Sequence, residues 1–126
     1  MNTKNWLLLV QGEMVGYWPG TILSVLGTNA HELQWGGEIY NSKANGHHTT
    51  TQMGSGHFPN EGYEKSCFFH NIQVIDNTNY AWSDPADLQK LVTNSLCYDL
   101  EIKANKQTTA GTYFYYGGPG YSAQCP

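Results

Sequence analysis

Turn-forming residues divide this chain into segments too short for long helices. Glycine occurs 14 times in 126 residues, and Pro19-Gly20, Asn45-Gly46, Gly54-Ser55-Gly56 and Gly117-Gly118-Pro119-Gly120 are spread along its length. Glycine tolerates positive φ, while proline removes a backbone donor, so both interrupt regular elements. The apolar runs between them are correspondingly brief. The longest, Trp6 to Val10, is far below the ~20 residues that cross a bilayer, and no charged n-region with a cleavage site precedes it. No membrane segment or signal peptide is expected within the chain. Its length suits one domain or a piece of one.

The coarse pattern is strand and turn. Trp6 to Gln11 reads as a buried strand that pairs in a hairpin with Val15-Gly16-Tyr17-Trp18. A short helix is expected from Thr21 to Gly27, with Ile22, Leu23, Val25 and Leu26 on one face and Gly27 ending it. His31 to Tyr40 alternates well enough to predict a strand with glycines at its middle. Asn45-Gly46 predicts a tight turn before Thr49-Thr50-Thr51. Cys67 to Ile75 reads as a core strand closed by the loop Asp76 to Asn79, and Ser83-Asp84-Pro85 as the start of a second short helix. Tyr98 to Ile102 and Thr112 to Tyr116 are the last strands, turning at Ala110-Gly111. Together these predict an all-β fold, an antiparallel β-sandwich with one or two short helices.

Charge excludes one class of partner. Charged residues are 13% of the chain, about half the usual share; all six basic residues are lysines and the formal net charge is -4. No lysine cluster interleaves with aromatics to track phosphates, so nucleic acid is not an expected partner. Cys67, Cys97 and Cys125 have neither CxxC spacing nor a paired-histidine motif, which argues against a structural zinc site. Two of them suit a disulfide, and the third is a buried small hydrophobe or half of another bond. His47 and His48 are adjacent, His57 and His70 stand apart, and no metal is expected.

Several motifs occur together and in order: Val15-Gly16-Tyr17-Trp18-Pro19, Trp35-Gly36-Gly37-Glu38-Ile39, His48 to Pro59 (HTTTQMGSGHFP), Asn71-Ile72-Gln73-Val74 and Tyr113 to Gly120 (YFYYGGPG). In this combination the chain resembles the plant neprosin family over nearly its whole length, and looks like the C-terminal part of that family's domain, hence an incomplete domain. The resemblance implies a secreted antiparallel β-sandwich peptidase that uses two glutamates, acts on peptide or protein substrates, prefers cleavage after proline in its best-known member, and needs no cofactor. It assigns Glu38 to the second glutamate and expects the first from a segment preceding these residues, so the isolated chain is expected to be inactive. It also pairs Cys97 with Cys125, which implies an oxidising compartment.

The chemistry requires those residue types. One carboxylate takes a proton from water while another acid protonates the carbonyl oxygen or the departing amine, and two close carboxyls share a proton because both cannot ionise easily. From spacing alone Glu38 is a solvated acid on an ordinary strand; the resemblance gives it a role. Gly36 and Gly37 would leave room for a substrate backbone. Gln52 reads either as a donor to an oxyanion or carboxyl, or as a strand-face amide bonded to backbone. Trp35 and the run Tyr113 to Tyr116 read as packing residues or as cleft walls, with Tyr116 the cleft candidate. Two other functions fit the composition: an inactive remnant, and a carbohydrate- or protein-binding β-sandwich displaying aromatics.

Overall fold

The computed structural model describes residues 4–27, 29–75, 80–104 and 111–126. Two compact units are present, Met1–Gln34 and Trp35–Pro126.

In the first unit, β1 (Trp6–Val10) pairs antiparallel with β2 (Glu13–Trp18), with Trp6 opposite Trp18 and an irregularity between Leu8 and Leu9. Gln11 and Gly12 both have positive φ, 53° and 84°, the geometry of a two-residue turn whose twist suits a hairpin. The hairpin is as expected; its burial is not. Leu7, Leu9, Val10, Met14, Val15 and Tyr17 are each more than half exposed. A two-stranded ribbon has two faces, and this short unit cannot cover both. Trp6 is anchored through its indole N–H, which donates to Leu26 O at 2.9 Å. The expected helix from Thr21 to Gly27 is only a turn, Ile22 N–H to Pro19 O at 3.1 Å, followed by a 3-10 turn at Ser24–Leu26. Between Pro19-Gly20 and Gly27 too few residues remain to repay α-helix nucleation.

In the second unit, β3 (Cys67–Phe69), β7 (Thr112–Gly117) and β6 (Asp99–Ala104) form one sheet with β7 central and every pairing antiparallel. β4 (Val74–Ile75) pairs antiparallel with β5 (Trp82–Ser83). β6 and β7 fall where the sequence predicted them. The continuous strand expected from Cys67 to Ile75 is instead split into β3 and β4. Asn71 sits at φ 52° and breaks the extended path, and the Ile72 N–H turns to Thr112 O at 3.0 Å.

Three further expectations are corrected. His31 to Tyr40 contains no strand; consecutive glycines offer no side chains to pack and weaken a pleated segment. Residues 84–92 contain no helix, and Asp87 takes a left-handed φ of 54° that a right-handed helix cannot include. Thr49 to Thr51 follow the expected turn at Ala44–Gly46 but do not form a strand. The loop Asp76 to Asn79, and Ala110 of the expected turn, lie outside the described residues. The all-β class stands: each ladder is antiparallel, and the helical elements among the described residues are 3-10 turns.

One face of the three-stranded sheet carries Phe69, Phe114 and Tyr116, with ring centroids 5.1 to 5.7 Å apart and Phe114 buried. A second cluster unites Cys97, Tyr98 and Cys125, with Ile39 and Met53 packed against it.

Candidate functional site

The site is built outward from a disulfide. Cys97 and Cys125 are bonded, with Cα atoms 5.1 Å apart and both side chains buried. Around them the C-terminal segment is stitched to residues 49–53. Met53 N–H donates to Gly118 O at 3.0 Å and Gly118 N–H returns to Met53 O at 3.4 Å. Tyr121 N–H donates to Thr49 O at 2.9 Å, and the Tyr98 hydroxyl to Thr51 O at 2.8 Å. Burial pushes the Tyr98 phenol above its ordinary pKa. Met53 therefore sits at a fixed place between this cluster and the aromatic face of the sheet.

Gly37 approaches that place closely. A Cβ at Gly37 would lie 2.8 Å from Met53 Cγ and 3.2 Å from Tyr116 Cε2, so the missing side chain makes room for Met53 and Tyr116. Gly36 beside it has no atom within 4 Å of a built Cβ. Of the glycine pair, then, only Gly36 keeps the open space that a substrate backbone would need. Ile39 packs on the disulfide cluster. Glu38, between Gly37 at the Met53–Tyr116 contact and the half-buried Ile39, is exposed. Its carboxylate reaches water, although the strand expected to carry it is absent.

Gln52 and Tyr116 adjoin the same contact. Gln52 precedes Met53 and is exposed, and its amide lies against Gly56, where a Cβ would come 2.6 Å from Gln52 Cδ. Tyr116 is half-buried; desolvation pushes its phenol up, and the Cys67 thiol nearby adds to the shift. Cys67 is unpaired and sits under Gly54, whose φ is +61° and whose Cβ would meet the Cys67 sulfur at 2.9 Å. Glu38 and Gln52 are thus each one residue from the Gly37–Met53–Tyr116 contact. Trp35, two residues before Gly37, is half-buried.

A pair that the sequence reading passed over lies on the same loop as Gln52. His57 Nδ1 is 2.9 Å from Glu61 Oε2, and Phe58 N–H donates to Glu61 Oε1 at 3.0 Å. The imidazole bond first, then the backbone donor, holds the Glu61 carboxyl below its usual range. The Ser66 hydroxyl bonds Phe58 O and closes the loop from its other end. The signal in the sequence is an acid at the third position of a turn starting at Pro59, whereas metal binding is the one role the pattern suggests for His57.

His48, Cys97 and Cys125 place their donor atoms within 4.8 Å of one another. The two sulfurs are bonded together and offer no thiolate, which leaves a single imidazole. His48 packs on Tyr98 at 5.4 Å and His47 on Tyr121 at 5.3 Å, so the two rings have separate partners.

The family model for Neprosin matches residues 1–119 of the chain. No solved structure matches it. Among the described residues no helix is long and apolar enough to cross a membrane.

Proposed function

The chain belongs to the neprosin family, and from that membership we propose that it is the C-terminal part of a secreted glutamic endopeptidase domain in which Glu38 is one of two catalytic carboxyls. The observation carrying the proposal is the exposed Glu38 beside the Gly37–Met53–Tyr116 contact. A hydrolytic carboxylate must reach both water and substrate, and a fixed position for it requires neighbours that are packed.

In this reading Glu38, ionised, removes a proton from a water molecule as the oxygen attacks the scissile carbonyl carbon. The second carboxyl, contributed by a segment not among these 126 residues, donates its proton first to the carbonyl oxygen and then, regained from the intermediate, to the departing amine. In this scheme the Gln52 amide donates to the developing oxyanion or orients Glu38. Tyr116 and Trp35 line the substrate side. The pair needs one protonated and one ionised member, so activity belongs to acid pH. No metal or organic cofactor enters these steps. Proline at the residue preceding the cleaved bond is the specificity carried over from the family's best-known member. The buried disulfide fits an extracellular, oxidising location.

The test compares this chain with a version extended upstream, each given a proline-containing peptide from about pH 3 to 7, the interval in which coupled carboxyls titrate. Cleavage only by the extended version supports the two-carboxyl scheme. Equal cleavage by the short chain refutes it, and no cleavage by either leaves the inactive remnant as the better account.

A further inference from the structure

Glu38 lies in a segment that no strand ladder holds, since residues 31–40 contain no strand. Two contacts fix its ends. Gly37 meets the Met53 side chain, whose Cγ a built Cβ would approach to 2.8 Å. At the other end the Asn41 side chain makes the link: its Oδ1 accepts the Thr49 N–H at 3.1 Å and the Lys43 N–H at 3.2 Å. From Gly37 to Asn41 the chain advances by as many residues as separate Thr49 from Met53, so both contacts keep one antiparallel register, with the Ala44–Gly46 turn joining the two arms. That register sets Glu38 against Gln52, and both are exposed. It also sets Ile39 against Thr51, and both meet the disulfide cluster, Ile39 by packing and Thr51 through its carbonyl on the Tyr98 hydroxyl. The second arm has its own anchors in Tyr121, whose N–H donates to Thr49 O, and in Gly118, which exchanges bonds with Met53.

We propose that Asn41 is a positioning residue for Glu38, its Oδ1 standing in for the missing ladder and holding the first arm in the register that opposes Glu38 to Gln52. In an ordinary antiparallel pair a backbone carbonyl of the facing strand accepts an N–H such as that of Thr49. Here a side-chain oxygen does so, and its second lone pair takes the Lys43 N–H two residues on. The length of the side chain decides whether this works. Asparagine reaches the N–H two positions ahead and keeps an oxygen free for a second donor, glutamine carries its oxygen one methylene farther out, and alanine has none. Aspartate keeps the oxygen in place, and two N–H donors favour its ionised form. The catalytic consequence rests on the peptidase reading of Glu38; the hold on the segment does not.

The test has two readouts. In this chain, backbone amide relaxation gives the order parameter of the Glu38 N–H, expected near ~0.85 in the parent, as for rigid backbone, and at or below ~0.6 in Asn41→Ala and Asn41→Gln, with Asn41→Asp restoring the parent value. In the upstream-extended protein, kcat on a proline-containing peptide should fall ~10- to 100-fold in the alanine and glutamine variants with KM little changed, the scale of a displacement of about 1 Å. Asn41→Asp, measured at its own pH optimum, should stay within a few-fold of the parent. Unchanged near-UV circular dichroism verifies the fold, and should Asn41→Ala misfold, Asn41→Gln decides, because it keeps the amide and alters only its reach. An unchanged Glu38 order parameter, Asn41→Gln matching the parent, Asn41→Asp as impaired as Asn41→Ala, or a loss confined to KM overturns the proposal. Retained turnover in Glu38→Gln would instead overturn the peptidase reading, and the relaxation result would still decide whether Asn41 holds the segment.

Discussion

Replacing Cys97 and Cys125 together by alanine removes the bond that ties the chain end to the start of β6. The two cysteines are 28 positions apart. Closing a loop of that size in the unfolded chain costs about 12 cal/mol/K, so opening it releases entropy worth ~3.5 kcal/mol at room temperature in favour of unfolding. That is a large share of the ~5–15 kcal/mol by which a domain is ordinarily stable. The double alanine variant also removes two buried sulfurs against which Tyr98, Ile39 and Met53 pack, so the chain-entropy figure is the smaller part of the expected loss. Urea unfolding followed by tryptophan fluorescence should show a midpoint lower by roughly 1–3 M, given ordinary m-values for small domains. Amide exchange should quicken first at Met53 and Gly118, whose N–H groups bond across the cluster. A loss below ~1 kcal/mol, well under the entropic expectation, with exchange at those two amides unchanged, would refute the view that the site is hung from the disulfide.

Three other outcomes are expected. Gly54→Ala must place a Cβ 2.8 Å from that of Cys67 at a φ of +61°, and should cost about 1–3 kcal/mol by thermal unfolding; unchanged stability would contradict the packing. The Glu61 carboxyl is depressed from 4.5 in the folded chain, so its stabilisation is full above the unfolded value and fades as pH falls through the lower folded one. The melting-temperature gap between the parent and Glu61→Gln should therefore narrow as the pH is lowered below the ordinary carboxylate value of 4.5, and a gap that widens would reverse the sign of the account. If Gln52 serves the oxyanion, Gln52→Ala in the active, extended protein should lower kcat by ~100- to 1,000-fold with KM little changed; a change confined to KM would place Gln52 in binding instead.

The strand ends of this fold were legible where alternation and turn chemistry agreed. β6 alternates cleanly in sequence, β7 is an aromatic run bounded by Thr112 and Gly117, and Gln11-Gly12 joins β1 to β2 with the two positive φ values a hairpin wants. Legibility failed where a single residue overrode the pattern. Asn71 and Asp87 adopt left-handed conformations, which asparagine and aspartate tolerate better than most residues, and each interrupts an element that periodicity had extended through it. The Glu38 segment failed differently: its inward contacts come from a bare Cα at Gly37 and from Ile39 packing on a disulfide. Neither has a two-residue period of apolar side chains to announce it. Glu38 and the Cys97–Cys125 pairing were reached through the order of motifs, since spacing alone left the acid on an ordinary strand and the cysteine partners open. The His57–Glu61 pair is local in sequence, separated by one turn, and needed only the expectation of a 3-10 turn at Pro59–Glu61 to be found.

Turnover by Glu38→Gln is the most direct measurement of the central claim. In the upstream-extended protein, the amide keeps the shape of the side chain but can neither carry the negative charge nor take the proton from water. Hydrolysis of a proline-containing peptide should fall by at least ~1,000-fold at every pH where the parent works, with the urea midpoint unchanged because Glu38 is exposed. Activity within a few-fold of the parent would remove Glu38 from the mechanism.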